Sequence, residues 1–156
     1  MAESVAYNII AHLKSTLESE ITLANGYHFD LQKVWLDEMA VQDRGGHPNI
    51  TIYEEGENKE TIEENPSQGF VECDLNLTFD CIVFDSIQND TIRELRRFAS
   101  DVEKAITKDP SRGGIAQSTR VTLVACAPNT VLNYSSVWVG VLVKYAHNYN
   151  NPEQAR

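Results

Sequence analysis

An α+β domain, with a mainly antiparallel sheet carrying two helices on one face in the order α-β-β-β-α-β-β, is the fold class this sequence predicts. Three observations carry it. Residues Phe70 to Phe84 alternate between apolar and polar side chains, the period of a strand packed on one side and wet on the other. Two further stretches, Ser4 to Ile21 and Thr91 to Ile106, place apolar residues at helical spacing. The connections between the strand-like segments are too short for most parallel crossovers, which favours antiparallel pairing.

Each element has its own signature. In the first helix Val5, Ile9, Leu13, Leu17 and Ile21 recur every four residues and Ile10 widens the stripe; Gly26 then breaks the pattern. Tyr27, Phe29 and Leu31 alternate with polar residues as a half-buried strand would. After the loop Arg44-Gly45-Gly46-His47-Pro48, a second strand is expected over Asn49 to Glu54. Between Tyr53 and Pro66 six glutamates face a single lysine, Lys59, and this run reads as a solvated, mobile connection, or alternatively as a docking loop for a basic partner. The strand from Phe70 to Phe84 would extend about 50 Å, so a bulge or a projecting hairpin arm is expected. The second helix begins at Asp90 or Thr91, where Thr91 and Glu94 match a capping box. Its apolar stripe runs through Ile92, Leu95, Phe98, Ala99, Val102 and Ile106, opposite Arg93, Arg97 and Lys104. Asp109 to Gly114 ends it. Strands over Thr119 to Cys126, alternating through Val121, Leu123 and Ala125, and Val137 to Tyr145, alternating through Val139, Val141 and Val143, close the domain, which spans residues 1–147, and 148–156 is expected to be a loose polar tail.

Composition bounds the function. A chain of 156 residues supports one core. The N-terminus lacks the basic segment and apolar stretch of a secretory signal, and the apolar run Val137 to Val143 is too short to span a bilayer as a helix. Cys73, Cys81 and Cys126 have no paired spacing and are expected as free thiols. The net charge of −10 is unevenly distributed: residues 1–90 hold 4 Lys and Arg against 18 Asp and Glu, and residues 91–156 hold 9 against 5. Such a split lets one surface of a copy attract a different surface of the next, the geometry of head-to-tail rings. An acidic balance disfavours general binding to phosphate backbones.

No Walker loop, Gly-x-Gly-x-x-Gly, nucleophile elbow, His-Glu-x-x-His or Cys-x-x-Cys occurs, and His12, His28, His47 and His147 stand singly. No catalytic, cofactor or metal residues are therefore assigned. Gly45-Gly46 and Gly113-Gly114 each follow an arginine; an anion nest is one use of such amides, a plain turn the other. Trp35 is expected in the core. Trp138 has the opposite parity from Val137, Val139 and Val141, so it points away from their face and calls for a loop, a helix or another subunit to cover it.

The layout resembles that of the tail terminator, or tail-completion, proteins of long-tailed phages. The likeness lies in Ile9 to Leu17 leading into Gly26-Tyr27, in Pro48-Asn49-Ile50 opening a strand, in Asp101 to Ile106 followed by Asp109 and Gly113-Gly114, and in the closing run Val139 to Tyr145. The acidic run between Tyr53 and Pro66 departs from a minimal member. The resemblance implies a homohexameric ring in the virion that caps the tail tube protein, stops its polymerisation and meets the head-side connector while DNA passes through. In such a ring Glu72, Asp74, Asp80, Arg93, Arg97, Arg112 and Trp138 are candidates for the lumen or the subunit interface, and the face of Glu72, Asp74 and Asp80, or else the Glu54 to Glu64 connection, is the candidate acidic lining. Other head-completion or baseplate joints share these features, and a small cytosolic enzyme or ligand-binding domain is the rival from a different class.

Overall fold

Helix α1 (Val5–Glu20) forms where the four-residue spacing places it, capped by Ser4, whose hydroxyl accepts from the Tyr7 amide at 3.2 Å. Val5, Ile9, Leu13 and Leu17 are buried along one stripe. The computed structural model describes residues 2–36, 45–62, 69–84, 91–131 and 134–156. After α1 a short 3-10 turn, Leu23–Asn25, closes on Gly26 at φ +82°, a left-handed conformation that glycine adopts without steric cost.

The strand expected over Tyr27 to Leu31 does not form. Its burial does alternate, with Tyr27 and Leu31 buried and Phe29 half-buried against the Phe98 ring at 5.2 Å. Its amides, however, go elsewhere. Those of His28 and Phe29 donate to the Asp101 carboxylate at 2.8 and 3.2 Å, and that of Leu31 donates to the Ile21 carbonyl at 3.0 Å. The Asp101 side chain thus supplies the acceptor that a neighbouring strand would have supplied. The sheet begins instead at β1 (Lys33–Trp35), which runs parallel to the start of the next strand. Trp35 is half-buried there with the Lys33 ammonium 4.4 Å from its ring, rather than in the core.

Strand β2 (Asn49–Ile62) overruns its expected end by eight residues and pairs antiparallel with β3 (Phe70–Phe84) along its length, with a bulge between Glu54 and Gly56. The acidic run is therefore hairpin rather than connection as far as Ile62; Glu63, Glu64 and Pro66 lie outside the described residues. Charge reports that side chains are solvated, but a ladder is made by the backbone, and most of these side chains are exposed while their amides pair with β3.

Helix α2 (Thr91–Thr107) buries Leu95, Phe98, Ala99, Val102, Ala105 and Ile106. The described chain resumes at Thr91, so Asp90, the other candidate cap, lies outside the described residues, and Glu94 holds Arg97 at 3.1 Å. Ile92 departs from expectation at 48% exposure, because burial begins only one turn later, at Leu95. Strands β4 (Ser118–Val131) and β5 (Tyr134–Asn148) form the second long hairpin. The expected tail is also ordered backbone: β6 (Asn151–Ala155) turns back antiparallel along β5, and Arg156 lies 4.6 Å from the Phe70 ring. The reason is register. β4 begins opposite Lys144, so the last turn of β5 would have an open edge without β6.

The sheet order is β1-β2-β3-β5-β4, with β6 beside the end of β5, antiparallel except at β1–β2. One apolar cluster unites the stripes of both helices with Cys73, Leu75, Leu77, Phe79 and Cys81 of β3 and the odd-numbered valines of β5. Both helices thus cover one face. Helix α2 lies mainly over β4 and β5, and α1 packs on α2 and β1.

At the edge of this core Tyr145 sits directly opposite Cys73, and its hydroxyl donates to Glu57 at 2.5 Å. Burial, then the hydrogen bond to Glu57, pushes the Tyr145 hydroxyl far above the ordinary tyrosine range, and burial pushes the Cys73 thiol up. Both groups are held neutral in the fold, whereas in the unfolded chain they ionise near their ordinary values of 9.0 for Cys and 10.0 for Tyr. Above those values the unfolded state binds fewer protons, so stability falls as pH rises, by up to about 1.4 kcal/mol per pH unit for each group. Urea midpoints measured between about pH 8 and 11 should fall most steeply above 10, and Tyr145→Phe should flatten that upper part. An unchanged slope in the variant would show that Tyr145 does not contribute to it.

Candidate assembly surface

The helix-free face of the sheet is built by the parity opposite to the core. On β3 it carries Glu72, Asp74, Asn76, Thr78 and Asp80, and on β5 Trp138, Gly140, Leu142 and Lys144. Two cross-strand rows define its centre. Tyr53, Thr78, Gly140 and Leu123 form one, and Thr51, Asp80, Trp138 and Ala125 the next.

A bulge shapes this centre. Between Val121 and Leu123 the register of β4 slips by one residue, so Thr122 is extra and the strand crowds over Gly140. A Cβ added at Gly140 would come within 2.9 Å of the Thr122 hydroxyl and 3.1 Å of the Leu123 Cβ, so the bulge would have to shift to admit a side chain. The glycine leaves a floor without a side chain, and Leu123 stands above the face at 59% exposure beside Trp138 at 46%. Together they wall an open trough of about 670 Å³, with Glu55, Asp80 and Tyr53 on the β2–β3 side.

The residues singled out from sequence fall in three places. Glu72, Asp74 and Asp80 share the helix-free face as their parity requires; Glu72 is exposed, Asp74 meets Lys144 at 3.8 Å, and Asp80 is half-buried in the trough. Trp138 lies beside Asp80 across the ladder, on the face expected for it. Arg93 and Arg97 belong to α2, over the other face; Arg93 is exposed with Arg96, and Arg97 is half-buried against Glu94. Arg112 is a correction: at 1% exposure it cannot serve as a contact residue. Its guanidinium instead donates to the carbonyls of Ile106 and Asp109 and so closes the C-terminal end of α2, where carbonyls lack helical partners.

The neighbouring double glycine forms a turn. The Gly113 amide donates to the Asp109 carboxylate at 2.7 Å and that of Gly114 to the Ser111 carbonyl at 3.0 Å, so the loop uses these donors itself. The Ser111 hydroxyl and the Gly113 amide hold the Asp109 carboxyl below the usual carboxylate range. The histidines stay apart: His28 Nδ1 donates to the Asp101 carboxylate at 2.8 Å, and His147 lies 2.8 Å from the Asn148 carbonyl. Among the described residues no group of three or more His, Cys, Asp or Glu is placed to hold a metal ion.

Leu123, expected to share the buried face of Val121, and Ile92, expected in the buried stripe of α2, are both exposed instead, and the trough floor has no counterpart among the sequence expectations. Gly140, alone in a run of valines, was the available signal, since an isolated glycine inside a strand marks a bulge or a close approach. No protein-family model matches this chain, and no curated protein matches its sequence.

Proposed function

We propose that this chain is a virion structural protein that forms a ring, caps a phage tail tube and joins it to the head connector. The observation that carries this reading is the lateral polarity of the sheet. Strands β2 and β3, which hold Glu54, Glu55, Glu57, Glu60, Glu72, Asp74 and Asp80, lie on one side of it, and β5 and β4 with the arginines of α2 lie on the other. The division seen along the sequence is thus a division across the molecule. Copies placed side by side would meet acidic flank to basic flank, a heterologous contact that closes when its rotation does. The exposed pair Glu60 and Glu72, opposite one another at the far end of the hairpin, would face the DNA path and repel phosphates. In this reading the protein binds no cofactor and catalyses no reaction.

The test is tube capping. Purified protein added to polymerising tail tube subunits should shorten the tubes in proportion to its concentration and appear as rings at their ends in negative stain. Glu72→Lys rings should in addition retain DNA in a salt-sensitive way. Tubes of unaltered length with bare ends would refute the capping role.

A further inference from the structure

We propose that the trough between Trp138 and Leu123 is the socket for the first turn of helix α2 of a second copy of this chain. The proposal deepens the ring reading, from which it takes only that copies associate. The trough is apolar at its walls, open at its floor over Gly140, and flanked by the carboxylates of Glu55 and Asp80. The matching plug is on the same chain. Ile92 is the large apolar side chain that α2 leaves exposed, at 48%, and Arg93 and Arg96 beside it are exposed as well. Ile92 and Arg96, four residues apart, share a helix face.

An apolar tip between cations fits an apolar socket between carboxylates, in both shape class and sign of charge. The two cannot meet within one molecule. Helix α2 packs on the core face of β4 and β5, and the trough opens on the opposite face of the same strands. A contact between them therefore joins two copies, uses a different patch on each, and leaves every copy with one plug and one socket to offer. This also accounts for a half-exposed tryptophan on a sheet face, because tryptophan and arginine dominate the energetics of protein contacts.

Complementary variants test it. Trp138→Lys spoils the socket and leaves the plug; Ile92→Glu with Arg96→Glu spoils the plug and leaves the socket. All three side chains are surface groups, so both variants should melt like the wild type, which checks that folding is intact. By light scattering and sedimentation the wild type should assemble, and each variant alone should associate at least about 30-fold more weakly. Mixed in equal amounts, the two variants should form a one-to-one dimer and nothing larger, because a single intact plug-and-socket pair remains. Arg96→Glu alone should be weakened and partly restored by Glu55→Arg. Variants that assemble like the wild type, or a mixture that yields no dimer, would overturn the docking contact while leaving a ring built on other surfaces standing. A wild type that stays monomeric at about 1 mM would also overturn it and assign the trough to a different protein or an apolar ligand. A ring that forms only on tube ends would survive that result, and the capping experiment decides it separately.

Discussion

Replacing Leu77 by aspartate is expected to unfold the domain. Leu77 is 2% exposed at the middle of β3, the strand that β2 and β5 flank, and it faces the shared cluster under the helices. The substitution removes a leucine's buried surface, worth about 2 to 5 kcal/mol, and places a carboxylate inside the apolar cluster. Together these reach about 5 kcal/mol or more, the scale of a whole domain's stability. Insoluble or molten protein is the expected outcome, read by near-ultraviolet circular dichroism. Leu77→Met, of similar volume, should cost less than about 1.5 kcal/mol and remain folded. An aspartate variant that melts like the wild type would show that this face of β3 is not core.

Asp101→Ala is expected to lower stability by about 2 to 4 kcal/mol, or roughly 5 to 15 °C in melting temperature, although it removes no apolar surface. The Asp101 side chain is 3% exposed and receives the His28 and Phe29 amides and lies 2.8 Å from the His28 ring nitrogen. Alanine leaves those donors without an acceptor and frees the extended segment that carries Tyr27 and Leu31 into the core. Asp101→Asn keeps one acceptor oxygen and should lose about half as much. Limited proteolysis should then cut first between Gly26 and Lys33. A variant as stable and as resistant as the wild type would mean that the segment is held by its apolar contacts alone.

Asp101 also illustrates which parts of the structure could be read in advance. Periodicity located α1, α2, β3 and the centres of β4 and β5, because one-sided burial at a fixed period leaves its pattern in the order of residues. Strand ends were not legible in the same way. β2 runs on through an acidic stretch and β6 through a polar one, since a ladder needs a partner's backbone and places little demand on exposed side chains. Tyr27 to Leu31 failed in the opposite direction: it has the burial of a strand, but its acceptor comes from a carboxylate 73 residues away in sequence, a relation that no local pattern carries. On the candidate surface, parity placed Trp138, Glu72, Asp74 and Asp80 on one face. It placed Leu123 and Ala125 wrongly, on the face of Val121, because their outward position depends on a slip of register at Thr122, and it gave no warning that Arg112 turns inward to cap a helix.

The sheet order has a consequence for the chain as it is synthesised. Strand β3 pairs on one side with β2, which precedes it, and on the other with β5, which follows it by roughly 50 residues through α2 and β4. At about 5 to 20 residues per second, translation leaves β3 waiting several seconds for its second neighbour. During that interval β3 lacks β5 beside it, and its free edge presents unpaired amides and carbonyls to whatever is near. The polar parity of the same strand, with Glu72, Asp74 and Asp80, then acts on the nascent chain: like charges brought edge to edge repel, and they guard the strand against pairing with its counterpart on a neighbouring ribosome before β5 arrives.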